Sequence, residues 1–225
     1  MASKKTVKLF YDVISPYSWI AFEVLIRYKQ KWNMKLVLKP MFLGGVMQAA
    51  DNTPPAFVPS KGTYMFQDLH RLGKHFKVPI KIPKNPAEVL FQKGSLQAMR
   101  FVTAVDVSFP ESTENLSREL WLRIWSRDED ITQPDSLVQA AKASGLNEAV
   151  ITDALLKMKD NSIKDKLKAI TTEALEHGAF GAPTIVAEVN NTDQMLFGSD
   201  RFHILADLLG EQYVGPLTEL AKSKL

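Results

Sequence analysis

Ser15 is the residue whose type and placing point most directly to chemistry. It ends the stretch Asp12-Val13-Ile14-Ser15 and precedes Pro16, so its hydroxyl stands where an apolar strand-like run, Val7 to Val13, gives way to an apolar helical run. Proline suits the first helical position, because its fixed φ fits a helix and its missing N–H would have had no partner there. Ser15 is then the N-cap, and the first-turn N–H groups and the positive end of the helix dipole gather around it. Such a place suits an anion or a thiolate. On the local sequence alone, capping is sufficient reason for a serine here, and a chemical role stands beside it.

The chain contains no cysteine. That excludes structural disulfides, thiolate metal sites and Cys-x-x-Cys redox chemistry by the protein itself, so any sulfur chemistry requires a ligand that brings the thiol. His70, His75, His177 and His203 show no metal-ligand spacing with one another or with acidic residues, and no metal is expected. The run Arg127-Asp128-Glu129-Asp130 offers neighbouring carboxylates, but it ends an amphipathic helix and reads as a solvated or salt-bridged terminus. Trp121 and Trp125 sit at core spacing. There is no Gly-x-Gly-x-x-Gly, no Walker loop and no internal repeat.

Composition narrows the function classes. Lys and Arg number 28 against 25 Asp and Glu, a net charge of +3. The basic residues are scattered rather than striped, so nucleic acid is not an expected partner, although the excess mildly favours an anionic small ligand. No apolar run approaches the roughly 20 residues that cross a bilayer, and Met-Ala-Ser-Lys-Lys-Thr leads straight into strand with no room for a signal peptide. Neither a membrane nor secretion by that route is expected. Ser223-Lys224-Leu225 matches the address read by the peroxisomal import receptor, which makes that receptor an expected partner and the peroxisome the expected location in a eukaryotic source.

These candidates must be positioned by a recognisable order of elements. Thr6 to Val13 suits a buried strand, Tyr17 to Trp32 carries a wide apolar helical face, and Met34 to Leu38 alternates again before Pro40. Strand, helix, strand within some 35 residues is a βαβ unit with parallel strands. Gly44 to Lys61, rich in Gly, Asn and Pro, reads as a long ordered loop. A helix follows over Gly62 to Phe76, and Pro79, Pro83 and Pro86 break the next connection. From Gly94 the pattern is helical for more than eighty residues: one helix carries Leu96, Met99, Val102, Thr103 and Val105 on a face, and a second carries Leu116, Leu120 and Ile124. A third opens at Pro134 and stops at Gly145, a fourth covers about Glu148 to Met158, and a fifth runs from about Ile163 to His177. Thr184 to Val189 and Gln194 to Phe197 then form a hairpin around Asn190-Asn191-Thr192-Asp193. Gly198-Ser199-Asp200 caps a last helix, Arg201 to Leu209. The order βαβ, helices, ββα is an α/β thioredoxin fold with an inserted all-helical domain, divided as residues 1–61, 62–178 and 179–225.

With that order, the chain resembles the kappa-class glutathione transferases. The residues that carry the resemblance are Leu9 to Trp19 (LFYDVISPYSW), Asn52 with Pro54-Pro55, Ser117 to Thr132, Gly178-Ala179-Phe180-Gly181-Ala182-Pro183-Thr184, and Met195 to Arg201 (MLFGSDR), in order over nearly the full length. The resemblance implies a homodimer, a peroxisomal or, less in keeping with the C-terminal tripeptide, mitochondrial home, and reduced glutathione as co-substrate with no tightly bound cofactor. It makes Ser15 the catalytic serine and implies glutathione binding by Ser15, Pro16, Tyr17, Asn52, Lys61, Ala182, Pro183, Ser199, Asp200 and Arg201. Ala182-Pro183 is expected as a cis peptide whose Ala182 backbone pairs with the cysteinyl unit. Ser199 and Asp200 are expected at the γ-glutamyl end, and Asn52 and Lys61 at the glycyl end. Many family members carry a larger apolar residue where Ala182 stands, which implies a roomier electrophile pocket. The implied activity is conjugation of the glutathione thiolate to electrophiles of the aryl halide kind, with hydroperoxide reduction beside it, in the service of detoxification. Two alternatives stay open: a glutathione-dependent 2-hydroxychromene-2-carboxylate isomerase, and a non-catalytic thioredoxin-fold binding or chaperone module. Ser15 and Arg201 retain plain readings too, as a cap and as a surface charge.

Overall fold

A computed structural model describes residues 4–218 of the chain. Ser223-Lys224-Leu225 lie outside the described residues. The elements run β1 (Lys5–Tyr11), α1 (Pro16–Tyr28), β2 (Met34–Pro40), α2 (Leu43–Ala49), α3 (Pro59–Phe76), α4 (Leu96–Ser108), α5 (Thr113–Leu122), α6 (Pro134–Ala143), α7 (Glu148–Lys157), α8 (Asn161–Glu176), β3 (Thr184–Val189), β4 (Thr192–Phe197) and α9 (Phe202–Leu209). The four strands form one sheet in the order β2-β1-β3-β4. β1 runs parallel to β2, with Lys5 opposite Met34, and antiparallel to β3, with Leu9 opposite Ile185. This is the thioredoxin-like sheet that the βαβ and ββα segments require, with a run of helices between them.

Alternation along β1 divides the core. Val7, Leu9 and Tyr11 face the larger apolar cluster, which includes α1, α4, α5 and α9, while Phe10 faces a smaller one with Val46, Ile170, Ala174 and Val186. Residues one apart on a strand point to opposite faces, so both sides of β1 are covered and all four residues are fully buried. The second face is roofed by α8. The hairpin expected at Asn190-Asn191 is tighter than the sequence suggested. β4 begins at Thr192 and pairs with Val189, leaving a two-residue turn in which Asn190 and Asn191 both take positive φ (52° and 61°). That is the backbone a tight right-twisted hairpin demands and that asparagine tolerates.

Two expectations are corrected. Gly44 to Lys61 is not a long loop: it folds into α2, a short 3₁₀ turn at Pro55–Phe57, and the first turn of α3. The two glycines are packing residues here, since a Cβ at Gly44 would lie 2.8 Å from the tip of the Phe42 ring and one at Gly45 would meet Phe42 at 3.3 Å. Gly198-Ser199-Asp200 also does not cap the last helix. The N-cap of α9 is Arg201, without a side-chain cap bond, and Asp200 is instead ion-paired with Arg201. An adjacent guanidinium is a stronger partner for a carboxylate than a neutral amide of a short helix.

The helices between β2 and β3 share the larger core with α1. Leu120 on α5 is completely buried in that core. Leu120→Ala is expected to destabilise the protein by about 2 to 5 kcal/mol in a single urea transition with unchanged slope. Two separated transitions would show that the inserted helices and the sheet fold independently.

Candidate active site

The corner between β1 and α1 forms a turn closed by the Ser15 N–H donating to the Asp12 carbonyl at 3.0 Å. Ser15 sits in extended backbone (φ −87°, ψ 113°) as the N-cap of α1, with Pro16 at the first helical position. Its Oγ accepts the Ser18 N–H at 3.1 Å and its hydroxyl reaches the Ala182 carbonyl at 3.4 Å. The first contact is an ordinary cap. The second is long for a hydroxyl donor, whose bonds cluster near 2.7 to 2.8 Å, so this proton is only loosely engaged. The residue is 5% exposed.

Opposite the corner, Ala182-Pro183 is a cis peptide. The loop that carries it is tied down at both ends. The Gly198 N–H donates to the Pro183 carbonyl at 3.0 Å, bringing Ser199 and Asp200 beside it, and the Asn52 side-chain N–H donates to the Phe180 carbonyl at 2.6 Å. Gly181 allows a close approach, since a Cβ there would lie 3.1 Å from the Phe197 ring. Phe180 and Phe197 pack with their rings tilted by 37° and centroids 4.3 Å apart, and remain partly exposed beside Ala182.

The ten expected site residues therefore separate. Ser15, Pro16, Ala182, Pro183 and Asn52 are joined through the corner and the cis-proline loop, with Ser199 and Asp200 tethered next to them. The Tyr17 hydroxyl donates to Asp68 on α3 at 3.3 Å. Burial and that carboxylate push the Tyr17 phenol well above its usual range. Arg201 is held by Asp200. Lys61 is exposed on the first turn of α3 and makes no hydrogen bond or ion pair among the described residues. No group of three or more His, Cys, Asp or Glu among the described residues is arranged to hold a metal.

Two residues that support the corner carry no site role in the sequence pattern. Asp12 is completely buried; its Oδ1 accepts the Ile14 N–H at 3.0 Å, and its Oδ2 accepts the Leu43 N–H at 2.9 Å and the Ser95 hydroxyl at 2.8 Å. An acid within the apolar run Leu9 to Ile14 was the signal. Trp121, expected as a core residue and indeed buried, also donates its indole N–H to the Ser15 carbonyl at 3.1 Å. The periodicity that placed it in the core carried no sign of that bond.

Burial pushes the Asp12 carboxyl up to about 6, only partly offset by the hydrogen bonds from Ile14, Leu43 and Ser95. A carboxyl with a raised folded-state pKa favours folding while it is protonated, below its unfolded value of 3.8, and that contribution is lost as pH rises through about 6. The stability of the native protein relative to Asp12→Asn is accordingly expected to fall by about 2 kcal/mol between pH 4 and pH 7, measured by urea unfolding. A pH-independent difference would contradict the assigned shift.

A strand-to-helix corner facing a cis-proline, on a four-stranded sheet interrupted by helices, is the geometry of a thioredoxin-like protein, and the DSBA-like thioredoxin domain matches residues 6–210. Glutathione S-transferase kappa 1 of Homo sapiens and that of Rattus norvegicus are each 47% identical to this chain over 98% of its length and 98% of theirs. The solved structure of a 2-hydroxychromene-2-carboxylate isomerase superposes with a TM-score of 0.74 at 18% identity, over 91% of this chain and 94% of that one. The chain belongs to the glutathione S-transferase kappa family.

Proposed function

We propose that this protein is a glutathione transferase in which Ser15 holds the thiol of reduced glutathione as thiolate. The observation that carries the reading is the division of labour at Ser15: the oxygen is fixed by the Ser18 N–H at 3.1 Å while the proton rests on a weak 3.4 Å contact to the Ala182 carbonyl. A sulfur arriving between Ser15 and Ala182 takes that proton's attention without disturbing the cap. Donation from Ser18 polarises the hydroxyl and makes it a better donor. A free thiol has a pKa near 8.5, and lowering it by about two units needs roughly 2.7 kcal/mol of preference for thiolate. One hydrogen bond to a charged group supplies about 1.5 to 3 kcal/mol, and the N-terminus of α1 adds to it. The thiol proton leaves to solvent. The sulfur lone pair then forms the carbon–sulfur bond with an activated aryl carbon, and the halide departs with its bonding pair; hydroperoxides are a second electrophile class.

The remainder of glutathione is placed as the family resemblance implies, and the chemistry of the side chains is in keeping with it. The backbone of Ala182 pairs with the cysteinyl unit, and Pro16, Tyr17 and Pro183 border it. Ser199 and Asp200 face the γ-glutamyl end, where an ammonium calls for a carboxylate, with Arg201 beside them. Asn52 and Lys61 lie toward the glycyl carboxylate. For Asp200 this requires its ion pair with Arg201 to be shared with the ligand. We further propose a homodimer, tested by light scattering at twice the chain mass, and peroxisomal import through Ser223-Lys224-Leu225, tested by whether a tagged chain lacking that tripeptide stays in the cytosol.

The test of the central reading is an ultraviolet difference titration of bound glutathione against pH, with Ser15→Ala alongside. The bound thiol is expected well below the free value in the native protein and one to two units higher in the variant, with aryl halide conjugation at neutral pH falling about 10- to 100-fold. An unshifted thiol in the native protein would refute the reading, and absence of binding would return the chain to the binding-module alternative. Isomerisation of a 2-hydroxychromene-2-carboxylate with no net consumption of glutathione would move it to the isomerase.

A further inference from the structure

The hydrogen bonds around Ser15 close into a ring that extends well beyond the Ser15–Ala182 contact on which thiolate stabilisation draws. From the Ser15 hydroxyl it passes to the Ala182 carbonyl, along the loop to Phe180, across to the Asn52 side chain at 2.6 Å, and through the Asn52 N–H to the Met47 carbonyl of α2 at 2.9 Å. It follows α2 back to Leu43, whose N–H reaches Asp12 at 2.9 Å, and Asp12 returns to Ser15 through its own carbonyl at 3.0 Å. Ser95, which precedes the first residue of α4, fastens the same carboxylate to the inserted helices at 2.8 Å. Among the described residues, the Asp12 side chain joins the serine corner, the limb carrying Asn52, and the insertion.

We propose that Asp12 is a positioning residue for the transferase reaction: as an acceptor for Ile14, Leu43 and Ser95 it fixes the Ser15 hydroxyl at the distance from the cis-proline loop that thiolate binding requires. The donor set explains the residue type. Two of the three partners are backbone N–H groups, one on each carboxylate oxygen. An asparagine, whichever way its amide is turned, would aim its NH₂ at one of them, and a buried donor facing a donor is costly. Only an acceptor-only side chain satisfies all three. With no exposure and three donors on its two oxygens, Asp12 is not placed to take a proton from a ligand, so its action runs through Ser15.

The inference deepens the glutathione-thiolate reading and rests on it. The test is the ultraviolet titration of bound glutathione in Asp12→Asn and in Ser95→Ala, beside the native protein and Ser15→Ala. Positioning and charge predict opposite signs. Removing a buried negative charge near a thiolate lowers the thiol pKa if charge alone matters, whereas loosening the corner raises it. The expected results are a bound-thiol pKa raised by half a unit or more in Asp12→Asn, a smaller rise in Ser95→Ala, and a loss of about tenfold in kcat for Asp12→Asn with KM for glutathione changed less than threefold. A lowered or unchanged thiol pKa in variants that bind glutathione overturns the proposal. Should Asp12→Asn not fold, Ser95→Ala decides alone, since it keeps the carboxyl group and removes one bond, and any partial neutralisation of Asp12 would lower the thiol pKa rather than raise it. If the native thiol is not depressed, or Ser15→Ala does not restore it, the failure lies in the thiolate reading; if both behave as expected while Asp12→Asn and Ser95→Ala leave the thiol unmoved, the failure is of this inference alone.

Discussion

A single hydroxyl proton, shared between a helix cap and a carbonyl across a cleft, sets the requirements on the rest of this molecule. Ser15 can offer that proton to a ligand only if its oxygen stays anchored and its resting partner is weak. The 3.1 Å bond from Ser18 and the 3.4 Å contact to Ala182 meet the two conditions. Both distances depend on the corner and the cis-proline loop being held in register, although they are separated by 167 residues of chain. The antiparallel pairing of β1 with β3, Phe10 opposite Thr184, brings the two segments together at one end of the sheet.

The inserted helices then brace the corner. The Met99 sulfur on α4 accepts the Val13 N–H at 3.4 Å, Ser95 holds the Asp12 carboxylate, and Trp121 on α5 holds the Ser15 carbonyl. Each backbone amide of the turn from Val13 to Ser15 is therefore engaged, two of them within the turn and one by the insertion. The same helices bury an aromatic cluster in which Trp19 and Trp121 lie parallel with centroids 6.4 Å apart. Large rigid side chains buried against one another leave the corner little room to shift, which is the condition under which a preorganised donor stabilises charge.

Much of this was legible in the sequence. Alternation marked the strands, Pro16 and Ser15 marked the start of α1, and the apolar spacing from Leu96 to Leu175 marked the helices, because burial imposes a period that composition exposes. The segment from Gly44 to Lys61 departs from the expected loop because glycine serves close packing as well as turns, and only the position of the Phe42 ring distinguishes them. The corner's supports were hidden for a different reason. Ser95, Leu43 and Trp121 reach Asp12 and Ser15 from 31 to 106 positions away, and hydrogen bonds between distant residues leave no periodic trace. Local chemistry could place Ser15, whereas Asp12, Ser95 and Trp121 became visible as its supports only once the chain was folded.

The most direct measurement of the central claim is the crystal structure of the protein with reduced glutathione. The account predicts the sulfur within hydrogen-bond distance of Ser15 Oγ, the Ser18 N–H still bound to that oxygen, and the cysteinyl backbone paired with Ala182. Glutathione bound with its sulfur away from Ser15, or with the Ser15 hydroxyl still directed at the Ala182 carbonyl, would contradict it.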